Sequence, residues 1–238
     1  MNDEVIATYQ DVVDQVTTGH EYLRTHVGPM AKVQHGWQID MFSGYSGVTP
    51  SLWALMGYNA TVIRWEGQPD MEIVWATNQW YEYTWRASMS LDQTQSEMFT
   101  HIINGNYGDL MGQLGFDWEF NNHPPVNETT LPTLAANFVA WIQNRVKVYR
   151  GPLLAEWGTD FKYAQADLQH GNMSMIIDYI NANPQFGMHL QFATLNEYFT
   201  ALYAREDLAF PALDGAAFDY GTNDFEYGWP HFIHIYNA

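Results

Sequence analysis

The feature that most limits the fold is an alternation: short apolar runs that read as strands take turns with longer stretches of helical period. Residues 4–26 place Val5, Ile6, Tyr9, Val12, Val13, Val16, His20 and Leu23 on one stripe, which predicts an amphipathic helix stopped by Gly28-Pro29. An extended run from Val33 to Ile39 follows and delivers Asp40 at its end. A helix over 49–56, a strand over Ala60–Trp65 and one or two further strands within Ile73–Arg86 come next. Beyond a glycine-rich, loop-like stretch from Asn104 to Thr130, a helix is predicted from Leu131 to Tyr149. Leu153–Trp157 reads as a buried strand ending at Gly158-Thr159-Asp160. It is followed by a helix near 165–182, a strand over Met188–Phe192 and a helix over 194–204 whose capping box is Thr194 with Glu197.

Strands and helices alternating at these lengths imply parallel βα units, so the expected fold class is α/β. In such folds catalytic groups sit just beyond the C-terminal ends of strands, the position of both Asp40 and Asp160. Glycoside hydrolysis uses two carboxylates in this way: one attacks or stabilises the anomeric carbon and the other protonates the leaving oxygen. A strand-terminal Asp serves equally well as a helix N-cap or a loop acceptor, so the pair alone leaves both readings open.

Charge and residue usage narrow the partners. Nine Lys+Arg against 27 Asp+Glu give a net charge of −18, which argues against nucleic acid, whose phosphates draw affinity from basic residues. With no cysteine, disulfides and thiolate metal sites fall away, and any metal must rest on His, Asp or Glu. No apolar run approaches the roughly 18 residues that span a bilayer, so no membrane span is expected. The acidic opening Met1-Asn2-Asp3-Glu4 has no signal-peptide core, while sequons at Asn59, Asn127 and Asn172 favour a secretory route. The 10 Trp, 15 Tyr and 13 Phe suit a site that packs rings on sugar faces, and suit an aromatic-rich core equally.

Several motifs in order resemble one family. They are Glu4 to His20 with Gly36-Trp37-Gln38-Ile39-Asp40, then Ala54-Leu55-Met56-Gly57-Tyr58 and Arg64, then Trp85-Arg86-Ala87-Ser88. Trp157-Gly158-Thr159-Asp160-Phe161-Lys162-Tyr163 and Phe192-Ala193-Thr194-Leu195-Asn196-Glu197-Tyr198-Phe199 complete the series. The chain is similar to the lysosomal branch of class II α-mannosidases, glycoside hydrolase family thirty-eight. That resemblance implies a retaining, zinc-dependent hydrolysis of terminal α-mannosidic bonds in N-glycans, in the lysosome or secretory pathway. It implies Asp40 as nucleophile and zinc ligand, Asp160 as general acid/base, Arg64 as an arginine close to the nucleophile, and Tyr107 as a contact to the bound sugar. Without the resemblance, Arg64 reads as a partner of Glu66, Tyr107 as a loop aromatic, and Trp37 and Trp157 as core fillers.

Two departures qualify the resemblance. Where the family reads Asp-Pro-Phe-Gly-His-Ser, this chain has Asp40-Met41-Phe42-Ser43-Gly44-Tyr45-Ser46, with Pro lost and one residue inserted. The family's other zinc ligands, from a His-x-His-x-Asp-x-Gly-Trp segment and a downstream His, have no counterpart in residues 1–238. His231 and His234 read as structural or exposed. The whole of 1–238 is therefore expected to be one partial catalytic domain, an incomplete (β/α)₇ barrel with mostly parallel strands that associates with the missing parts. The alternative is a truncated, inactive remnant or a sugar-binding pseudoenzyme.

Overall fold

The computed structural model describes residues 7–40, 47–64, 69–88, 90–91, 96–119 and 123–215. The chain divides into two units, one of Met1–Asn104 with Arg205–Ala238 and one of Gly105–Ala204. No helix among the described residues is long and apolar enough to cross a membrane.

The first unit is built on a sheet. Its helices are α1 (Tyr9–His26), α2 (Val48–Leu55) and α3 (Pro69–Asn78), and its strands are β1 (His35–Gln38), β2 (Ala60–Arg64), β3 (Glu82–Arg86), β4 (Glu97–Ile103) and β5 (Ala212–Asp214). The strand order is β1-β2-β4-β3-β5. β1 with β2, β2 with β4 and β3 with β5 are parallel, and β3 with β4 is antiparallel. The sheet is therefore mixed and mostly parallel, and it is open, with β1 and β5 at its edges.

Local chemistry explains the elements. Thr8 caps α1: its hydroxyl accepts from Asp11 N at 3.3 Å while the Asp11 carboxylate takes Thr8 N at 2.9 Å. Arg24 and His26 in the last turn suit the negative end of the helix dipole, and Gly28 follows at φ 125°. Val12 of α1 packs with Trp53 of α2 and Met98 of β4. The buried Ala60-Thr61-Val62-Ile63 run of β2 reads as a strand covered on both faces, as parallel sheets require.

Two expectations change here. Of the one or two strands expected within Ile73–Arg86, one forms as β3, while residues 73–78 lie in α3, where Trp75 meets Tyr83 edge-on at 5.4 Å and Trp80 at 6.1 Å. Aromatic packing from one face of a helix overrides the β-propensity of Ile, Val and Trp. The central strand β4 was not foreseen, because Thr100 and His101 interrupt its apolar run. Both are buried, and His101 Nδ1 lies 3.2 Å from Glu82 Oε1, its register partner on β3. A cross-strand polar pair of this kind is invisible to local periodicity.

The second unit is mainly helical: α4 (Asp109–Gly112), α5 (Leu131–Arg145), α6 (Ala166–Asn181) and α7 (Leu195–Tyr203). Leu134, Phe138 and Trp141 of α5 face Met173, Ile176 and Ile180 of α6, with Phe116 and Trp118 beside them. The capping box of Thr194 and Glu197 is present as predicted. The expected strands at 153–157 and 188–192 are not formed. Leu153, Ala155, Trp157, Met188 and Leu190 alternate onto the core, but among the described residues no strand pairs with them. The Asn181 side chain instead gives Leu190 both its bonds, donating to the carbonyl and accepting from the N–H at 2.8 Å each.

Candidate functional site

The four residues singled out from the sequence fall two to each unit. Arg64 closes β2, and Asp40 lies two residues beyond the end of β1. Gln38 is paired with Ile63 in parallel register, so Asp40 and Arg64 emerge from neighbouring strands at the same C-terminal edge. Both are half-buried. Glu66 and the altered segment Met41–Ser46 lie outside the described residues, as do His231 and His234.

One glycine shows how closely this edge is packed from within. A Cβ on Gly36 would stand 2.0 Å from the Trp53 ring, so β1 approaches α2 only because residue 36 has no side chain. Burial also lowers the pKa of His35, at the start of the same strand. Trp37, on the face of β1 opposite to Gly36, is 45% exposed and is not a core filler.

Tyr107 and Asp160 occupy adjoining loops of the second unit. The Tyr107 turn opens with Gly105 at φ 98°, and Asn106 N donates to Asp109 Oδ2 at 3.1 Å. Asp109 is ion-paired with Arg145 and also accepts from Gln113 at 2.8 Å, so the turn is tied to the end of α5. A Cβ on Gly108 would lie 3.3 Å from the Thr159 hydroxyl, directly before Asp160. The structure thus sets the Tyr107 loop against the Asp160 loop.

Asp160 itself is exposed. Trp157 turns inward, stacking on Phe116 at 5.2 Å and donating its indole N–H to Phe116 O, and is a core residue. Phe161 points the other way and is 96% exposed. Phe161 and Tyr163 both hold left-handed backbone, at φ 58° and 67°. Such a conformation costs a non-glycine residue about 1–2 kcal/mol and persists only where surrounding bonds fix it.

Those bonds come from residues not flagged in the sequence. Glu119, only 3% exposed, accepts Tyr163 N at 2.8 Å and Gln165 N at 2.6 Å on its two carboxylate oxygens. Gln165 Nε2 returns a bond to Glu119 O at 2.9 Å, and Lys162 Nζ reaches Asp117 Oδ2 at 2.6 Å. Burial raises the pKa of Asp117, but bonds from Lys162 and Glu119 N outweigh it and hold the carboxyl below its ordinary value. The Tyr163 phenol, donating to Trp157 O, is shifted upward by burial and by the Glu119 charge. The signal available was an acidic doublet, Asp117 and Glu119, in a loop between Gly115 and Pro124.

A zinc ion finds no complete set of ligands here. Among the described residues no three His, Asp or Glu side chains converge, and Asp40 alone of the implied ligands is in the chain. Of the sequons, Asn59 and Asn127 are exposed and Asn172 lies within α6.

Comparison with known proteins gives the context for this arrangement. Residues 1–223 match the glycosyl hydrolases family 38 N-terminal domain. The chain is 35% identical to alpha-mannosidase B of Dictyostelium discoideum over 224 residues, covering 83% of this chain and 21% of that protein. It is 32% identical to the epididymis-specific alpha-mannosidase of Sus scrofa, covering 87% of this chain and 22% of the relative. With the lysosomal alpha-mannosidase of Dictyostelium discoideum it shares 28% identity, over 98% of this chain and 23% of the relative. The chain spans about a fifth of the length of these relatives.

Proposed function

The chain belongs to glycosyl hydrolase family 38, and from that premise we propose that it supplies the two catalytic carboxylates of a retaining α-mannosidase. Its substrate is a terminal α-D-mannosidic bond of an N-glycan or related oligosaccharide. Asp40 attacks the anomeric carbon as Asp160 protonates the departing glycosidic oxygen. Asp160 then takes a proton from water, which displaces Asp40 and restores the configuration. Arg64 leaves the sheet beside Asp40 at the same strand edge, and Tyr107 contacts the sugar from the loop next to Asp160.

The observation that carries this reading is the register of β1 on β2, by which Asp40 and Arg64 leave the sheet together at the C-terminal edge, where α/β enzymes keep their chemistry. Zinc belongs to the same proposal, with Asp40 as this chain's ligand and the others from outside the described residues. The ion would orient the mannose hydroxyls. The residues described do not complete its site, and no step above depends on it. A lysosomal or secretory location follows from the same family reading.

A second reading is a sugar-binding or inactive relative. It is favoured by Asp40-Met41-Phe42-Ser43-Gly44-Tyr45-Ser46 in place of the family signature. Release of nitrophenol from its α-mannoside, with and without chelator, separates the two. Activity abolished by Asp40→Asn, slowed severely by Asp160→Asn and lost to chelator supports the enzyme. Activity that survives Asp40→Asn removes the nucleophile, and carboxyl groups far beyond the ~5–5.5 Å of retaining enzymes in a crystal structure remove retention.

A further inference from the structure

We propose that Glu119 is the positioning residue for Asp160: by binding the backbone at Tyr163 and Gln165 it fixes the loop from which the acid/base acts. This rests on the assignment of Asp160 above. Four observations converge on it. Glu119 is almost fully buried, yet both its carboxylate oxygens are directed to backbone N–H groups of one segment, at 2.8 and 2.6 Å. The same segment is tied a third time by Gln165 Nε2 to Glu119 O and a fourth by Lys162 to Asp117. The residues between Asp160 and those anchors, Phe161 and Tyr163, hold left-handed backbone that an untethered loop would relax. Asp160 makes its turn on the free side of this clamp, exposed, with the Thr159 side chain seated at Gly108.

A buried acid serving only the core would pair with a cation or a side chain. Glu119 instead accepts two main-chain donors flanking one turn, and both acceptor oxygens are occupied in doing so. Replacing one oxygen by an amide turns a donor toward a donor, so Glu119→Gln must release Tyr163 or Gln165. The loop then loses the conformation that aims Asp160. Proton donation suffers first, because its efficiency depends on hydrogen-bond reach to the leaving oxygen.

The test compares Glu119→Gln with Asp160→Asn in the full chain, using two readouts. Amide hydrogen exchange at Tyr163 and Gln165 should speed up about tenfold or more in Glu119→Gln, with the amides of Ile176 and Ile180 unchanged. Turnover of α-linked mannobiose, whose leaving group needs a proton, should fall by about 10- to 100-fold. Turnover of dinitrophenyl mannoside, whose leaving group needs none, should stay within about threefold. Asp160→Asn should show the same selectivity. Unchanged exchange at both amides overturns the clamp. Faster exchange with equal losses on both substrates makes Glu119 merely structural and overturns its positioning role. If Asp160→Asn shows no selectivity, or the unaltered chain turns over neither mannoside, the assignment of Asp160 falls and the positioning role with it, while exchange still decides the clamp. Should Glu119→Gln not fold, Glu119→Asp, which keeps the charge on a shorter stem, gives the same readouts.

Discussion

The indole of Trp53 occupies the space where a side chain on Gly36 would lie: a Cβ there would fall 2.0 Å from Cζ3 and 2.3 Å from Cε3. Helix α2 is thereby laid directly on the edge strand that leads to Asp40. Gly36→Ala should force the ring or the strand away and lower stability by about 1–3 kcal/mol, as overpacking does in a close-packed core. A urea denaturation midpoint checks it. A midpoint equal to the parent's would show that Trp53 moves freely and that the contact does not fix β1.

The ion pair of Arg145 and Asp109 is largely buried, with side-chain exposures of 13% and 9%, and the Arg145 guanidinium also lies 4.4 Å above the Trp141 ring. Asp109→Ala takes this carboxylate from a largely buried cation and removes the acceptor of Asn106 N. A loss of about 3–5 kcal/mol is expected. Breaking the exposed Arg205–Asp207 pair by Asp207→Ala should barely move the denaturation midpoint, since an exposed pair is screened by water and salt. Comparable losses for the two would contradict the difference in burial.

Phe161 is exposed, so shortening its side chain removes little packing, while its φ of 58° disfavours any residue with a Cβ. Phe161→Gly should therefore be more stable than Phe161→Ala by about 1 kcal/mol. Thermal melts of the two variants settle the matter. An alanine variant as stable as the glycine variant would mean the left-handed turn is not held in solution.

Acid should weaken the units in order. The folded pKa of His35 is lowered by burial, so its contribution is present above the unfolded value of about 6.5 and is lost as pH falls through the folded value, while the unfolded chain binds the proton first. Asp117 is also lowered, against burial, by Lys162 and Glu119 N. Its contribution is present above about 3.9 and is lost only as pH falls below that. Amide exchange followed from pH 7 downward should show the first unit loosening before the second. The reverse order would contradict these assignments.

How much of this was legible in the sequence depends on where the information sits. The cap of α7 at Thr194, the stop after α1 at Gly28 and the apolar faces of α5 and α6 are local, and local patterning predicts them. Strand β2 was legible because an unbroken Ala-Thr-Val-Ile run bounded by turns has few other homes. Strand β4 was not, since its buried His101 meets Glu82 of β3, nineteen positions earlier, a contact that local patterning does not show. The apolar runs at 153–157 and 188–192 were over-interpreted as strands: burial on one side does not require a neighbour on the hydrogen-bonding edge, and Leu190 meets that need through a single Asn. Of the candidate site, the strand-end placement of Asp40 was legible, while that expected for Asp160 is not realised, since no strand forms at 153–157. The grip of Glu119 on the Asp160 loop was not, because nothing about an acidic residue in a loop announces that it faces inward.

The order β1-β2-β4-β3-β5 has a consequence for how the chain is made. The strand at the centre of the sheet comes fourth from the ribosome, after both of its neighbours. A nascent chain that has reached only Arg86 holds β2 and β3 with nothing to join them, and its apolar Val62, Ile63 and Trp85 must wait in the open. Pairings that wait on distant sequence are slow and leave sticky surface behind. Residues 97–103 therefore join two pieces of sheet that the chain has already made, and β5 at 212–214 closes onto β3 later still.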